Sequence, residues 1–519
     1  LISTSRFGPS VAGPSLIPTW TGRHQRRLQA YAMLRAYREN SSRFFLDTQD
    51  ETQREDHREY GDAELLVQQV RAALLGDQIR ITVPGADEIN PDAADAAALA
   101  RQEWLRNWAD GQRFNLKIME TEGDAVGLGD GVYVLGWDAK RNRVRMRCFD
   151  PGFYFPVLSP DIDDDEYPDR VHLAWELPEE DSPPDRRLIR RITYELMPVA
   201  EYTPAYSDRP SDMECFLTDA TYEVDAFQSD VEDLTPARAR YRSDELGEIN
   251  QRALGIDFIP VVHVPNTVAL KDHFGKSVLT TVLQIVDDLS NADTDLQAAS
   301  ATAGTPALAL AGSTLGKEPR TYGPGTVFET GDGRMTVLDT TAGVTAIIDY
   351  VKFLLSRLST NARVPESVLG RVDPAQIEAG VILQLTFGPL TTMIEEMRLV
   401  RNEKYPLLLK FLQRFYVQAG ELPDVMPANL QFGAYLPHDD ARAVQQASTL
   451  FGASIISLPT AIRILVEAGM PIDDATTELE RIIEMSTRKQ EATLALQQRY
   501  APEPTGEPNG NLQDDGPRG

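Results

Sequence analysis

Residues 340–418 read as a helix, a short break and a much longer helix. Val344, Ile347, Ile348, Val351, Leu354, Leu355 and Leu358 recur every three or four positions, which is the single apolar stripe of an α-helix. The pattern stops across Asn361-Ala-Arg-Val-Pro-Glu-Ser-Val-Leu-Gly370. Asp373-Pro374 then supplies an N-cap and a proline at the first helical position. Helical character resumes through Ile377, Val381, Leu385, Ile394, Met397 and Val400 to Leu408, Leu412 and Tyr416. Gly388 and Pro389 interrupt it. A proline inside a helix costs about 3 kcal/mol and removes a backbone hydrogen bond, so a kink is expected there, offset by packing against neighbours.

A second long helix precedes this one. Residues 258–265 read as a short buried strand. Residues 276–301 then carry a stripe of Val278, Val282, Ile285, Val286, Leu289, Leu296 and Ala299, about 40 Å of helix at 1.5 Å per residue. Gly304 and Pro306 end it. Three short β candidates follow at 307–310, 326–329 and 335–338, punctuated by Gly312, Gly316, Gly323, Gly325, Gly331 and Gly333. A small β unit is therefore inserted between two helices of similar length, which form an antiparallel pair with a knob at the tip.

The bulk numbers limit what such a chain can be. Its 519 residues, 42% hydrophobic and 25% charged, are those of a globular protein of roughly three or four domains. The formal charge of −28 should repel DNA from the chain as a whole, because affinity for DNA comes from neutralising phosphates. Cys148 and Cys215 offer no disulfide framework and suggest a reducing compartment. Residues 1–20 lack the continuous apolar core of a signal peptide. The uncharged run 296–316 is long enough to span a bilayer, but its Gly, Pro, Ser and Thr content argues against insertion. No membrane association is expected.

The remaining chain alternates between helix and strand. Residues 1–20, rich in Ser, Gly and Pro, read as a loose arm. Residues 23–45 read as a basic helix whose arginines offer a contact for nucleic acid or, the favoured reading, a solvated face against acidic neighbours. Further helices are expected at 64–75, at 92–110 with Trp104 and Trp108 on one core-facing side, and at 114–126. Residues 79–83 alternate as a strand. After a glycine turn at 127–131, residues 132–137 and 143–149 read as a β-hairpin. Strands at 171–177, 188–197 and 215–227 continue as an antiparallel meander, since no helix of useful length separates them. Residues 161–185 hold eleven acidic side chains against Arg170 alone. Within that stretch Asp161-Ile-Asp-Asp-Asp165 offers carboxylates for Ca²⁺, but the EF-hand spacing is absent. A strand within 422–435, two short helices within 437–470, a charged helix at 473–499 and a disordered tail at 501–519 complete an α+β chain.

Enzyme motifs fail on spacing. Gly275-Lys276-Ser277 sits between a strand and a helix, but position 270 is Leu where a phosphate loop needs glycine. Gly312-Ser-Thr-Leu-Gly-Lys317 fails in the same way. Gly127, Gly129 and Gly131 lead into a hairpin rather than a helix, so they are no dinucleotide fingerprint. None of the six histidines has the i,i+4 metal spacing, and His263, flanked by valines, reads as a satisfied core histidine. No catalytic residue, cofactor or metal site is assigned.

The order of these pieces resembles the portal proteins of tailed bacteriophages. The resemblance rests on the hairpin followed by Phe149-Asp-Pro-Gly-Phe-Tyr-Phe-Pro156, then Ile259-Pro-Val-Val-His-Val-Pro-Asn266. It continues through the helix with Ile285-Val-Asp-Asp-Leu-Ser-Asn-Ala-Asp293, the inserted β unit and the returning helix. Val364-Pro-Glu-Ser-Val-Leu-Gly370, the long kinked helix, and helical pieces carrying Glu478-Leu-Glu-Arg-Ile-Ile-Glu484 close it. It covers residues 28–499.

The resemblance implies a ring of twelve copies at one capsid vertex, assembled in the host cytoplasm. A separate large terminase subunit drives double-stranded DNA through the ring without sequence preference. It further implies an N-terminal arm at 1–27, a wing at 28–275, stem helices at 276–303 and 340–360, and a clip at 304–339. A tunnel loop would follow at 361–373, then the kinked helix and second wing part at 374–436, a crown at 437–500 and a tail at 501–519. Lys317, Glu318, Arg320, Tyr322 and Arg334 of the clip would dock terminase and later a head–tail adaptor. Arg363, Val364, Pro365, Glu366, Ser367, Val368, Leu369, Gly370 and Arg371 would face the DNA. Gly388 and Pro389 would mark the kink. Major capsid and scaffolding proteins would be further partners, and the ring a possible nucleator of assembly. A mostly acidic wall would let DNA slide, with Arg363 and Arg371 giving sparse phosphate contacts or pairing instead with Glu366 or Asp373. The competing readings are another capsid-associated scaffold or adaptor without a channel, and an enzyme with a scattered site.

Overall fold

A computed structural model of the chain describes residues 24–42, 58–86, 95–158, 167–177, 187–198, 213–224, 230–232, 234–245, 247–267, 273–304, 308–311, 334–337, 341–370, 380–434, 440–467 and 475–499. The expected Ca²⁺-like run 161–165, the strand 326–329, and Lys317, Glu318, Arg320, Tyr322 and Arg371 lie outside these residues. The chain is mixed α+β, its sheets are antiparallel, and it divides into two compact units.

The larger unit comprises Leu1–Val83 and Gln102–Tyr435. Helix α1 (Gln25–Arg38) buries Leu28, Tyr31 and Leu34. Helix α2 (Asp62–Leu75) opens with Asp62 and Glu64, which suit the positive end of the helix dipole, and buries Leu66, Val67, Val70 and Leu74. Strand β1 (Ile79–Thr82) leads to helix α3 (Ala96–Gln112). Trp108 of α3 is buried with its ring N–H on Val144 O at 3.1 Å, and Trp104 sets its edge against Tyr416, so this pair packs the core as its spacing predicts. Helix α4 (Phe114–Leu128) ends at Gly129, whose φ of 115° turns the chain directly into strand β2 (Asp130–Asp138). The expected glycine turn is thus one residue. Gly127 is still helical and Gly131 already extended.

Strands β2 and β3 (Arg143–Phe149) form the predicted hairpin, with Val132 opposite Phe149 and Asp138 opposite Arg143. Strands β4 (Tyr154–Leu158), β5 (Pro168–Glu176), β6 (Arg187–Pro198) and β7 (Met213–Val224) are neighbours in sequence order, the expected meander. Strand β8 (Ala239–Tyr241) pairs with β7, β9 (Ser243–Asp244) with β10 (Gly247–Glu248), and β11 (Arg252–Ala253) again with β7. Strand β12 (Val261–Pro265), buried throughout, pairs with β2.

Helix α5 spans Leu283–Gly304, not 276–301 as the stripe suggests. Val278, Thr280, Thr281 and Val282 are β-branched and resist the α conformation. The Ser277 hydroxyl accepts the Leu279 N–H at 3.0 Å and starts a tighter 3-10 turn at Val278–Thr281. Strands β13 (Leu308–Ala311) and β14 (Arg334–Val337) pair antiparallel, and helix α6 (Thr341–Ala362) returns alongside α5. The predicted helix pair with a β insertion is therefore present.

Helix α7 (Gly380–Gln418) runs unbroken through Pro389. A second interior proline, Pro406, goes unmarked by the periodicity. The Thr391 and Thr392 hydroxyls donate to the carbonyls of Phe387 and Gly388, adding bonds beside the turn that Pro389 weakens. Strand β15 (Asn429–Phe432) then pairs with β1.

The smaller unit comprises Pro84–Arg101 and Leu436–Gly519. It carries helices α8 (Asp440–Gly452), α9 (Leu458–Glu467) and α10 (Ala475–Arg499), matching the two short helices and one charged helix expected there. Among the described residues no helix is long and apolar enough to cross a membrane.

Candidate functional site

The base of the helix pair is fixed by two buried polar clusters that no motif announced. In the first, the Asp130 carboxylate at the start of β2 is 1% exposed. It accepts from the Tyr31 hydroxyl on α1, from His263 Nε2 on β12 at 2.7 Å and from the Gly275 N–H at 2.8 Å. Three donors satisfy a charge that would otherwise be costly to bury. Burial, and then the Asp130 charge, push the Tyr31 phenol well above its ordinary range, so it remains a donor. His263 is thus satisfied, as its valine neighbours suggest. His273 stacks on it at 4.6 Å and shares a 2.9 Å hydrogen bond with the Tyr154 hydroxyl. Burial holds His273 down to about 3, so it is neutral.

Gly275 is here for space, not for phosphate. A Cβ on it would lie 2.4 Å from Gly129 O and 2.5 Å from Asn266 N, so two glycines let three backbone segments meet. Ser277 donates its hydroxyl to Gly127 O at 2.7 Å, and Lys276 is exposed. The Gly-Lys-Ser run therefore seats the start of the helix pair on the α4–β2 corner.

In the second cluster Arg401 of α7 is wholly buried. It donates to Glu122 of α4 at 2.7 Å and to Asn266 O and Oδ1 at 2.8 and 3.0 Å. Tyr405 donates to Glu122 at 2.5 Å and meets the Tyr133 hydroxyl at 3.0 Å. The pair thus ties α4, α7, β2 and the segment leading into α5. Three of the α1 arginines, expected on a solvated face against acidic neighbours, turn inward, two of them onto such neighbours, while Arg26 is exposed. Arg27 reaches the carbonyls of Pro151 and Tyr154, Arg35 pairs with Asp150, and Arg38 pairs with Glu64 and Asp124.

Above this base the helix pair becomes progressively exposed. On α6 the apolar stripe passes from Leu358 and Leu354, 2% and 4% exposed, to the half-buried Val351, Ile347 and Val344, while Phe353 and Tyr350 outside the stripe and Ile348 at its margin are 52%, 49% and 38% exposed. On α5 Val286, Leu289 and Ala292 are buried, and no residue from Gln297 to Ala301 is. Tyr350 and Phe353 stack on each other, and Arg357 lies 5.3 Å over the Phe353 ring. Thr281 approaches Asn361 O at 3.5 Å, so the base of α5 meets the end of α6.

The segment after α6 is a compact reversal. Val364 N–H donates to Ser359 O at 3.1 Å and Arg363 N–H to Thr360 O at 3.3 Å, the two bonds of a Schellman C-cap. That motif places Arg363 at φ 57°, a position glycine fills at lower cost. Val364 and Pro365 are buried, Glu366, Ser367, Val368 and Leu369 half-buried, and Arg363 and Gly370 exposed. Arg363 pairs with Glu396 of α7 at 3.5 Å rather than with Glu366. At the other end of the helix pair, Arg334 opens β14 opposite Ala311. Gly388 and Pro389 sit inside α7.

No family model and no curated protein matches this chain. Among the described residues no cluster of three His, Cys, Asp or Glu side chains could hold a metal ion.

Proposed function

We propose that this chain is a portal-type subunit, one of a ring of identical copies whose paired α5 and α6 helices line a passage for double-stranded DNA. The observation that carries this reading is the set of exposed apolar side chains on α6. A self-sufficient monomer would bury Ile348, Tyr350 and Phe353, whereas a ring member leaves them for its neighbour. Apolar side chains grouped on one exposed helix mark an interface, and heterologous contacts of one face against another close into rings.

The base clusters support the same reading. A channel lining must hold its angle to the body, and Asp130 and Arg401 lock the stem entry to α1, α4, β2 and α7 by buried bonds. On this proposal 361–373 faces the passage. Arg363, kept where glycine would cost less, serves as a sparse phosphate contact, its pairing with Glu396 weak enough to exchange in solvent. The β13–β14 insertion is the docking end for a terminase and later an adaptor. The assembly sits at a capsid vertex with the capsid and scaffolding proteins around it.

Negative-stain imaging of the purified full chain tests this. Closed rings with a central hole are expected. Monomers would contradict it, and open or uneven oligomers would favour a scaffold or adaptor without a channel.

A further inference from the structure

The two-stranded sheet β1–β15 has one covered edge and one open one. On the β1 side, side chains of α3 occupy the backbone. Gln102 accepts the Val83 N–H at 2.9 Å, and Arg106 donates to Ile81 O at 3.1 Å. On the β15 side no such cover is present among the described residues. In an antiparallel pair every second residue turns its N–H and C=O away from its partner strand. The outward groups of Asn429–Phe432 have no hydrogen-bond partner among the described residues.

That edge faces a cleft of about 510 Å³, the size of a small binding site. One wall is a row on α7, Arg398, Asn402 and Pro406, spaced four residues apart and so on one helix face. The other wall is Asn429, Leu430, Gln431 and Phe432, with Thr82 of β1, the partner of Asn429, at one end. Arg398 fixes the spacing of the walls by donating to Ala73 O, Leu74 O and Gly433 O. Pro406 brings no N–H, which frees the Asn402 carbonyl from its usual helical bond.

Natural sheets guard open edges with charge, proline or a bulge. β15 has no charged residue, no proline and a regular register. We propose that this groove receives an extended segment of a partner protein, which adds as a strand to the free edge of β15. The recognition is main-chain bonding. The segment alternates apolar residues, against Leu430 and Phe432, with polar ones beside the Asn429 and Gln431 amides. It carries no net positive charge, because Arg398 is the charged group in the lining. The proposal stands independently of the portal reading.

The probe is a random heptapeptide library displayed on phage, panned against the full-length chain. Enriched peptides are then synthesised and followed by hydrogen–deuterium exchange resolved to single amides. The expected result is enrichment of alternating apolar–polar sequences that slow exchange at least tenfold at two alternate amides of Asn429–Phe432. Asn402→Trp, an exposed position, fills the groove and should lose this binding at least tenfold, while Asn402→Ala retains it. Absence of enrichment, or protection elsewhere on the chain, overturns the proposal. So does concentration-dependent protection of those amides without peptide, which would mean that a second copy covers the edge.

Discussion

Arg401 on α7 and Glu122 on α4 meet at 2.7 Å with side chains 0% and 1% exposed. Nothing screens this pair, and Asn266, Tyr405 and Tyr133 complete its bonding. Removing one partner of a buried pair leaves the other charge uncompensated, at about 3–5 kcal/mol. Arg401→Met should therefore lower unfolding free energy in urea by about that much. The double variant Arg401→Met/Glu122→Gln should lose less than the sum of the two singles. Additive losses would show that the two groups do not act as a pair.

Arg363 adopts a left-handed backbone at the end of α6, where a side chain costs about 1 kcal/mol relative to glycine. Its exposed ion pair with Glu396 returns less than that. Arg363→Gly should therefore raise stability by about 0.5–1 kcal/mol. On the proposed function, the same variant together with Arg371→Ala should lower DNA retention in filled particles. Unchanged retention would remove the phosphate-contact role.

Acid should reveal His273. Its folded value near 3 lies below its ordinary 6.5, so the folded chain stays neutral while the unfolded chain takes up a proton. This contribution is complete above pH 6.5 and is lost as pH falls toward 3, at about 1.4 kcal/mol per pH unit. Asp124 works in the opposite sense. Burial, with the Asp150 charge, raises it to about 6, so between pH 4 and 6 the folded chain holds the extra proton. The two slopes oppose each other in the native chain. Urea titrations from pH 7 to 4 should therefore show His273→Phe gaining stability relative to the native chain as pH falls, and Asp124→Asn losing it. Parallel curves would contradict both assignments.

Much of this was legible beforehand, for identifiable reasons. The hairpin at 130–149 and the meander declare themselves because alternation and glycines are local signals, and the paired helices do so because their stripes are long. The polar clusters were not legible. Asp130 lies between two glycines and reads as part of a turn, while Tyr31, His263 and Gly275 come from distant segments. Its available signal was an acidic residue opening an apolar strand. Arg401 sits in a charged run beside Arg398 and Glu403, and periodicity does not distinguish the buried arginine from its neighbours. The apolar stripe places the start of α5 too early because it extends into β-branched residues that prefer a tighter turn.

Tyr350 and Phe353 make few demands on the isolated fold, being about half exposed. Tyr350→Ser/Phe353→Ser should change unfolding free energy by no more than about 0.5 kcal/mol per site. On the proposed function it should shift the chain from large assemblies to monomers in sedimentation velocity. An unaltered sedimentation profile would take the α6 face out of the interface.

The most direct measurement is the mass distribution of the purified full-length chain at nanomolar concentration, by mass photometry. The account predicts a dominant species near twelve times the 57.6 kDa chain. A single peak at the mass of one chain, persisting as concentration rises, would contradict it.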